Sequence, residues 1–308
     1  MFQVIRTRKA EIDTAGAVSR DRTLFQQAWI QFKYNRRAML GLAIIGLLLA
    51  IVFATMVIDL VTDSSVYNNY VVKQNLYLKL QGPSLAHPFG CDEFGRDMLF
   101  RLLWGTKYSL LLGFCAVTLS LLTGGPLGMI AGFYGGKTDN IIMRIMDVFM
   151  ACPFILLAMA IVAALGASTV NLLIALGVSG MASFSRITRA AVMSVKDKEF
   201  VEAARAVGAN DFVILIKYIL PNSMAPILVQ LTLRIGSSIL NVAGLSYIGL
   251  GVQPPLPEWG AILTAAKVYM RDAWHISVFP GLCLVITVVA FNLFGDGLRD
   301  ALDPKLKR

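Results

Sequence analysis

The chain has 308 residues, 56% of them hydrophobic and 15% charged, with a net charge of +9. Several charge-free runs approach the ~20 residues that cross a bilayer, which excludes an ordinary soluble domain. A soluble protein so basic would point to nucleic acid; here the charge is read as basic cytoplasmic loops, with the lipid bilayer and no nucleic acid as partner.

Residues 1–38 read as a cytoplasmic tail. Leu24, Phe25, Ala28, Trp29 and Phe32 share one helical face, with Arg36 and Arg37 beyond. That pattern predicts a helix lying at the membrane interface. No small-residue cleavage site follows the first apolar run, so it is expected to stay as a span and not to act as a signal peptide. Residues 39–60 are that span, with Asp59 and Asp63 at its exit. Residues 61–107 read as an extracytoplasmic segment of irregular structure and short helices. Within it Asp92 is placed to cap the following helix, and Arg96 to pair with a nearby acid. One histidine, His87, among mixed acids is weak support for a metal site, and no metal is assigned. Cys91, Cys115, Cys152 and Cys283 lack Cys-x-x-Cys spacing, so no disulfide framework or zinc site is expected.

Residues 108–295 carry five further spans: Tyr108–Phe133, Ile141–Leu165 with a kink at Pro153, Val170–Phe184, Met224–Leu250 and Trp274–Phe294. Arg144 and Asp147 stand at i, i+3 and are placed to pair. The stretch Ala131–Thr138 matches a permissive phosphate-loop pattern. A membrane helix precedes it and no α/β unit surrounds it, so it reads as a tight turn. Residues 296–308 form a second tail, with a short polar helix expected there.

A polar island, residues 196–222, separates the fourth and fifth spans. Glu199–Val207 is made of good helix formers. Gly208 can take a positive φ and turn the chain. Asp211 is expected to cap a second helix, Phe212–Leu220, that Pro221 stops. Glu202 and Arg205, at i, i+3, can steady each other or a partner.

Arg234 lies about ten residues, ~15 Å, inside the fifth span. It must face a partner, an aqueous path or the interface. Either it snorkels or bonds backbone carbonyls, or it lines a path and attracts a peptide's carboxylate. Gly244–Gly260 holds too many prolines for a continuous helix. It is expected to bend outside the membrane and dip back as a helix, Trp259–Tyr269. Gln253, Pro254, Pro255 and Trp259 are then placed either to gate the path and meet an external protein, or to form a rigid loop that Trp259 anchors at the interface.

Six spans put both termini on one side. Twenty of the 28 Lys and Arg fall on that side, with the polar island, and seven on the other. The bias places both termini and the island in the cytoplasm.

Glu202-Ala203-Ala204, Gly208 four residues on, then Leu220-Pro221 resembles the EAA loop of ATP-binding cassette (ABC) importer permeases, with Tyr218 where that family has Ile. His87-Pro88-Phe89-Gly90-Cys91-Asp92-Glu93-Phe94-Gly95-Arg96-Asp97 resembles a signature of the dipeptide, oligopeptide and nickel permeases, with Cys91 in place of Thr. Leu250 to Gly260 and Gly295 to Pro304 resemble the same branch, and the likeness runs from Leu24 to the C-terminus.

The resemblance implies an all-α integral membrane protein with six transmembrane helices of the type I ABC importer permease fold and a cytoplasmic coupling helix. It implies a C-type subunit of the plasma (inner) membrane that is not itself an enzyme. No cofactor is expected on this chain, with ATP and Mg bound by partner subunits. The implied partners are a second homologous permease, two ABC ATPase subunits and an extracytoplasmic substrate-binding protein. Glu199, Glu202, Ala203, Ala204, Arg205, Gly208, Leu220 and Pro221 would couple to the ATPases. Di- or oligopeptides are favoured over nickel, whose ligands would be His, Cys or Met facing the path. A stand-alone secondary transporter would need ionisable groups inside the spans. A membrane ATPase would need a nucleotide-binding domain.

Overall fold

A computed structural model describes residues 24–302, with side chains from residue 29 onward. The side chains of Leu24, Phe25 and Ala28, and the tails before 24 and after 302, lie outside the described residues. The described residues form ten helices, α1 Leu24–Tyr34, α2 Arg36–Val61, α3 Met98–Tyr134, α4 Gly136–Ala151, α5 Phe154–Leu165, α6 Thr169–Met193, α7 Glu199–Ala206, α8 Asp211–Tyr247, α9 Trp259–Ala266 and α10 His275–Leu302. Short helical turns at Tyr67–Val72 and Leu76–Leu78 interrupt the long α2–α3 connection, as its composition predicts.

Helix ends differ from the sequence expectation wherever a tertiary partner satisfies a polar group. Helix α3 begins ten residues before Tyr108, because Asp97, not Asp92, caps it by accepting the Phe100 N–H at 3.1 Å. Helix α6 runs past Phe184 to Met193. Its Arg186 and Arg189 are held by Asp147 and Asp139 of α4, both at 2.5 Å, so these charges do not end the helix. Asp147 therefore pairs mainly with Arg186, and its contact with Arg144 is only 4.0 Å. Helix α10 continues without a break through Gly295 to Leu302, so the expected separate C-terminal helix is its last turns. Pro153 does more than kink the third span: α4 and α5 meet at 87°.

Pro221 does not stop the helix it was expected to stop. Residues Ile214–Ile219 are π-helical, and the Leu220 N–H donates to Leu215 O. The wider turn makes room for the proline ring, and the missing Pro221 N–H falls at the change of pitch. The chain continues into α8 as one 37-residue helix. Its cap is Asn210, which accepts the Val213 N–H at 2.9 Å, and not Asp211.

Glycines fix how the spans pack. A Cβ on Gly124, Gly128 or Gly132 would overlap the carbonyl oxygens of Met181, Ser185 and Arg189, respectively. Positions four apart on α3 thus meet positions four apart on α6 at backbone distance. Residue numbers rise together along the pair, so α3 and α6 run parallel. The bent pair α4–α5 must return the chain across, which makes six spans of the five long helices and one broken one. The α1–α2 corner, the α3–α4 turn, α7 and the end of α10 therefore share one side.

Helix α1 is not simply laid on the bilayer. Phe32 is buried against Ala38 and Ala301, and meets Phe294 edge-on at 5.4 Å, while Trp29 stays half exposed. The Asn35 side chain accepts the Arg37 and Ala38 N–H groups and breaks the chain between α1 and α2.

Candidate functional site

The segment with the Glu-Ala-Ala pattern is a small two-faced projection. Val201 and Ala204 of α7 are buried against Phe133, Val192, Ile214 and Ile219. Glu199, Glu202, Ala203 and Arg205 point outward. Gly208 takes φ +85°, its N–H donates to Arg205 O at 2.9 Å, and the Ala209 N–H donates to Ala204 O at 3.1 Å. These two bonds are the Schellman closure of α7, which requires a left-handed residue at Gly208. Phe200, Val207 and Phe212 are exposed around it. Among the described residues Glu202 and Arg205 form no ion pair; the Arg205 guanidinium lies 5.6 Å from the Phe133 ring centre instead. Leu220 is half-buried where the π turn passes into the regular helix of α8. Pro221 borders an apolar recess with Trp29, Phe32 and Leu298. Tyr218 keeps its apolar contact, packed half-buried against the α7 core.

Arg234 opens onto a narrow cleft between α3, α5, α6 and α8, beside Ser120, Phe154, Ser237 and Asn241. Its Nη2 donates to Ser183 Oγ at 2.6 Å, a hydroxyl partner where a backbone carbonyl was one expectation.

The loop between α8 and α9 divides its candidates. Gln253, Pro254 and Pro255 are exposed, and Gln253 Nε2 donates to Gly251 O at 3.1 Å. Trp259 is 1% exposed, and its Nε1 donates to Leu102 O at 3.1 Å. It is a core residue between α3 and α9, not an interface anchor, and α9 ends at Ala266 instead of Tyr269.

The His87–Asp97 signature folds into a compact ion-paired knot. His87 Nδ1 meets Asp97 Oδ2 at 2.7 Å, and Arg96 Nε donates to Asp92 Oδ2 at 2.6 Å. Asp92 Oδ2 also lies 3.2 Å from Arg101 Nε. Gly95, at φ +70°, passes so close to Asn75 O that no Cβ fits. The position where the related signature has Thr works through its backbone: Cys91 N–H donates to Gln81 O at 2.8 Å, and Cys91 O accepts from His275 Nε2 at 3.0 Å. The thiol itself is buried, and burial together with Asp97 and Asp92 pushes its pKa up to about 11.

Sequence reasoning missed Glu258, which is fully buried. Its carboxylate accepts the Gly260 and Ala261 N–H groups, both at 2.9 Å, and the Ser109 hydroxyl at 3.3 Å. The available signal was an acid immediately before the Trp-Gly that starts a helix. Burial raises the Glu258 pKa above the ordinary carboxylate value. For an acid raised in the folded state, stability is full below the unfolded pKa and falls as pH rises through the folded one. Glu258→Gln is therefore expected to flatten the fall of thermal stability with rising pH. Glu258→Ala leaves the buried Gly260 N–H and the half-buried Ala261 N–H without their acceptor and should cost about 1–3 kcal/mol at any pH. Melting curves of the purified protein between pH 4 and 8, an acid range of roughly that span around carboxylate titration, check both.

Residues 124–308 match the family model described as binding-protein-dependent transport system inner membrane component. Residues 23–83 match the N-terminal TM domain of oligopeptide transport permease C. A dipeptide transport system permease protein of Alkalihalophilus pseudofirmus is 45% identical over 284 residues, 92% of this chain and 90% of that one. A glutathione transport system permease protein of Pectobacterium atrosepticum is 43% identical, covering 93% of each chain. The MetNI methionine ABC transporter in an inward-facing form superposes with TM-score 0.56 at 20% identity, covering 67% of this chain and 98% of that chain. This last likeness concerns the fold alone.

Proposed function

The chain belongs to the family of binding-protein-dependent transport system inner membrane components, as a multi-pass permease subunit of an ABC importer, and from that premise we propose that it carries di- or oligopeptides and is driven through α7. The observation that carries the coupling reading is the exposed face of Glu199, Glu202, Ala203 and Arg205. A left-handed Gly208 closes this face, and it lies on the same side of the bundle as both described chain ends. Small alanines and exposed apolar residues let another protein approach the backbone closely, and the charges set its register.

In this reading two ATPase subunits bind and hydrolyse ATP with Mg, and this chain catalyses nothing. A second, homologous permease completes the path. An extracytoplasmic binding protein delivers cargo to the side bearing Gln253, Pro254 and Pro255. The basic bias of the loops supports an inner-membrane orientation with both termini cytoplasmic. ATP-driven closure of the ATPases moves α7. Because α7 shares a core with Phe133 of α3, Val192 of α6 and Ile214 of α8, it carries three spans with it. Contacts that differ between the two ATPase states supply the bias between outward and inward access.

Peptide cargo is supported by the dipeptide and glutathione relatives. Nickel is disfavoured because His87, outside the spans, is held by Asp97, and His275, at the first residue of α10, is held by Cys91 O. Arg234 is the candidate path residue. The test is ATP hydrolysis by the reconstituted complex with its binding protein. A rise of at least about tenfold, equivalent to ~1.4 kcal/mol of bias, is expected with peptide-loaded binding protein. Stimulation by a nickel-loaded binding protein alone, or uphill uptake by this chain in isolation, would overturn the proposal.

A further inference from the structure

We propose that the face of α8 bearing Gln230, Arg234, Ser237 and Asn241 is a recognition ladder for solutes with a free carboxylate, the C-terminus of a short peptide being the expected case; this rests on the peptide-importer reading and deepens it. At 100° per residue these four positions fall within an arc of about 60° and extend along roughly 16 Å of helix. They are half-buried or exposed, although α8 is one of the membrane-crossing helices. A surface turned to lipid would not gather a guanidinium, two carboxamides and a hydroxyl on one side. The stripe therefore faces water, cargo or another subunit.

Charge decides between these. Among the described residues Arg234 makes no ion pair; its one side-chain partner is Ser183 Oγ at 2.6 Å. A guanidinium carries five N–H donors in a planar fork, so most of them remain for an anion. A carboxylate matches that fork with two parallel hydrogen bonds. Ser183 acts as a positioning residue that aims the fork into the cleft shared with Ser120, Phe154 and Asn241. From Arg234 to Asn241 the helix rises about 10 Å. Three residues of extended peptide span nearly the same length, at about 3.3–3.6 Å each. With the terminal carboxylate on Arg234, the Asn241 carboxamide meets a peptide group two to three residues upstream. Ser237 lies between them, its hydroxyl donating to Arg234 O at 3.0 Å and its lone pairs left to accept from a peptide N–H.

The experiment is uptake of a dipeptide and of its C-terminal amide by proteoliposomes holding the complete complex and one binding protein. The binding protein's own preference is common to all variants and cancels when ratios are compared. Arg234→Gln should lower free-acid uptake about tenfold or more and amide uptake less than about twofold, the signature of one lost charge-assisted contact. Arg234→Lys should recover part of the preference. Ser183→Ala should raise KM for the free acid and leave kcat unchanged. Equal losses for acid and amide, or no loss, overturn the ladder while leaving the importer reading in place. Loss of the partner permease from purified Arg234→Gln complex also overturns it, since the face would then be a subunit contact. An unmodified complex that imports another solute and no peptide sinks the importer reading and the ladder with it.

Discussion

Gly208→Pro is expected to abolish transport and to release the ATPase subunits from the purified complex, while the membrane bundle stays folded. The native residue sits at φ +85°. Proline is locked near −65°, so the α7 closure cannot form. The substitution also deletes the N–H that donates to Arg205 O at 2.9 Å. Gly208→Ala separates strain from crowding, because nothing lies within 4 Å of the Cβ it would add. The remaining penalty is the left-handed backbone alone, about 1–2 kcal/mol. Transport by the alanine variant should thus fall roughly five- to thirtyfold, with association weakened and not lost. The measurement is the ATPase-to-permease ratio after affinity purification, alongside uptake. A proline variant that retains a full complement of ATPase would mean that the projection is not the coupling element.

The second large effect is expected at Gly128. Its missing side chain lets α3 and α6 touch at backbone distance, where a Cβ would overlap Ser185 O. The obstacle is main chain in the middle of a helix, so no rotamer change relieves it. Overpacking of this kind costs about 1–3 kcal/mol for small additions and more for large ones. Gly128→Leu should leave no monodisperse protein in detergent, and Gly128→Ala should melt several degrees below the parent. Gly244 supplies the control, since it also lies inside a long helix and has nothing within 4 Å. Gly244→Ala should be neutral or stabilising by up to about 1 kcal/mol. If Gly128→Leu melts like the parent, the parallel packing of α3 on α6 is wrong. The six-span count that depends on that packing then falls too.

Two sites show where the sequence was readable and where it was not. The α7 projection was legible almost residue by residue, because its helix formers, its glycine and its spacing are local signals. Its edges were not. Pro221 was expected to end a helix, yet Ile214–Ile219 widen into a π turn that absorbs it. Asp92 was expected to cap α3, yet Arg96 and Arg101 hold it and Asp97 does the capping. The fourth span was expected to end at Phe184 because no local sequence window joins Arg186 and Arg189 to Asp147 and Asp139, which hold them within α6. In each case a residue was read by its own propensity when a charge, near or distant along the chain, or a change of helical pitch had reassigned it.

Sequence alone determined where the long apolar runs fall and in what order, and it carries the expectation that the polar island is cytoplasmic. Long apolar runs and basic loops act through the bilayer, a solvent that sorts residues along one axis whatever their neighbours are. Tertiary structure alone decided what the polar residues inside that bundle do. Arg234 meets a hydroxyl 51 positions away, and Glu258 one 149 positions away. Trp259 changed from a surface anchor into core because Leu102 O lies where its indole N–H points. A buried polar group takes whichever partner the packing brings within about 3 Å, and that distance is a property of the folded bundle, not of the order of residues along the chain.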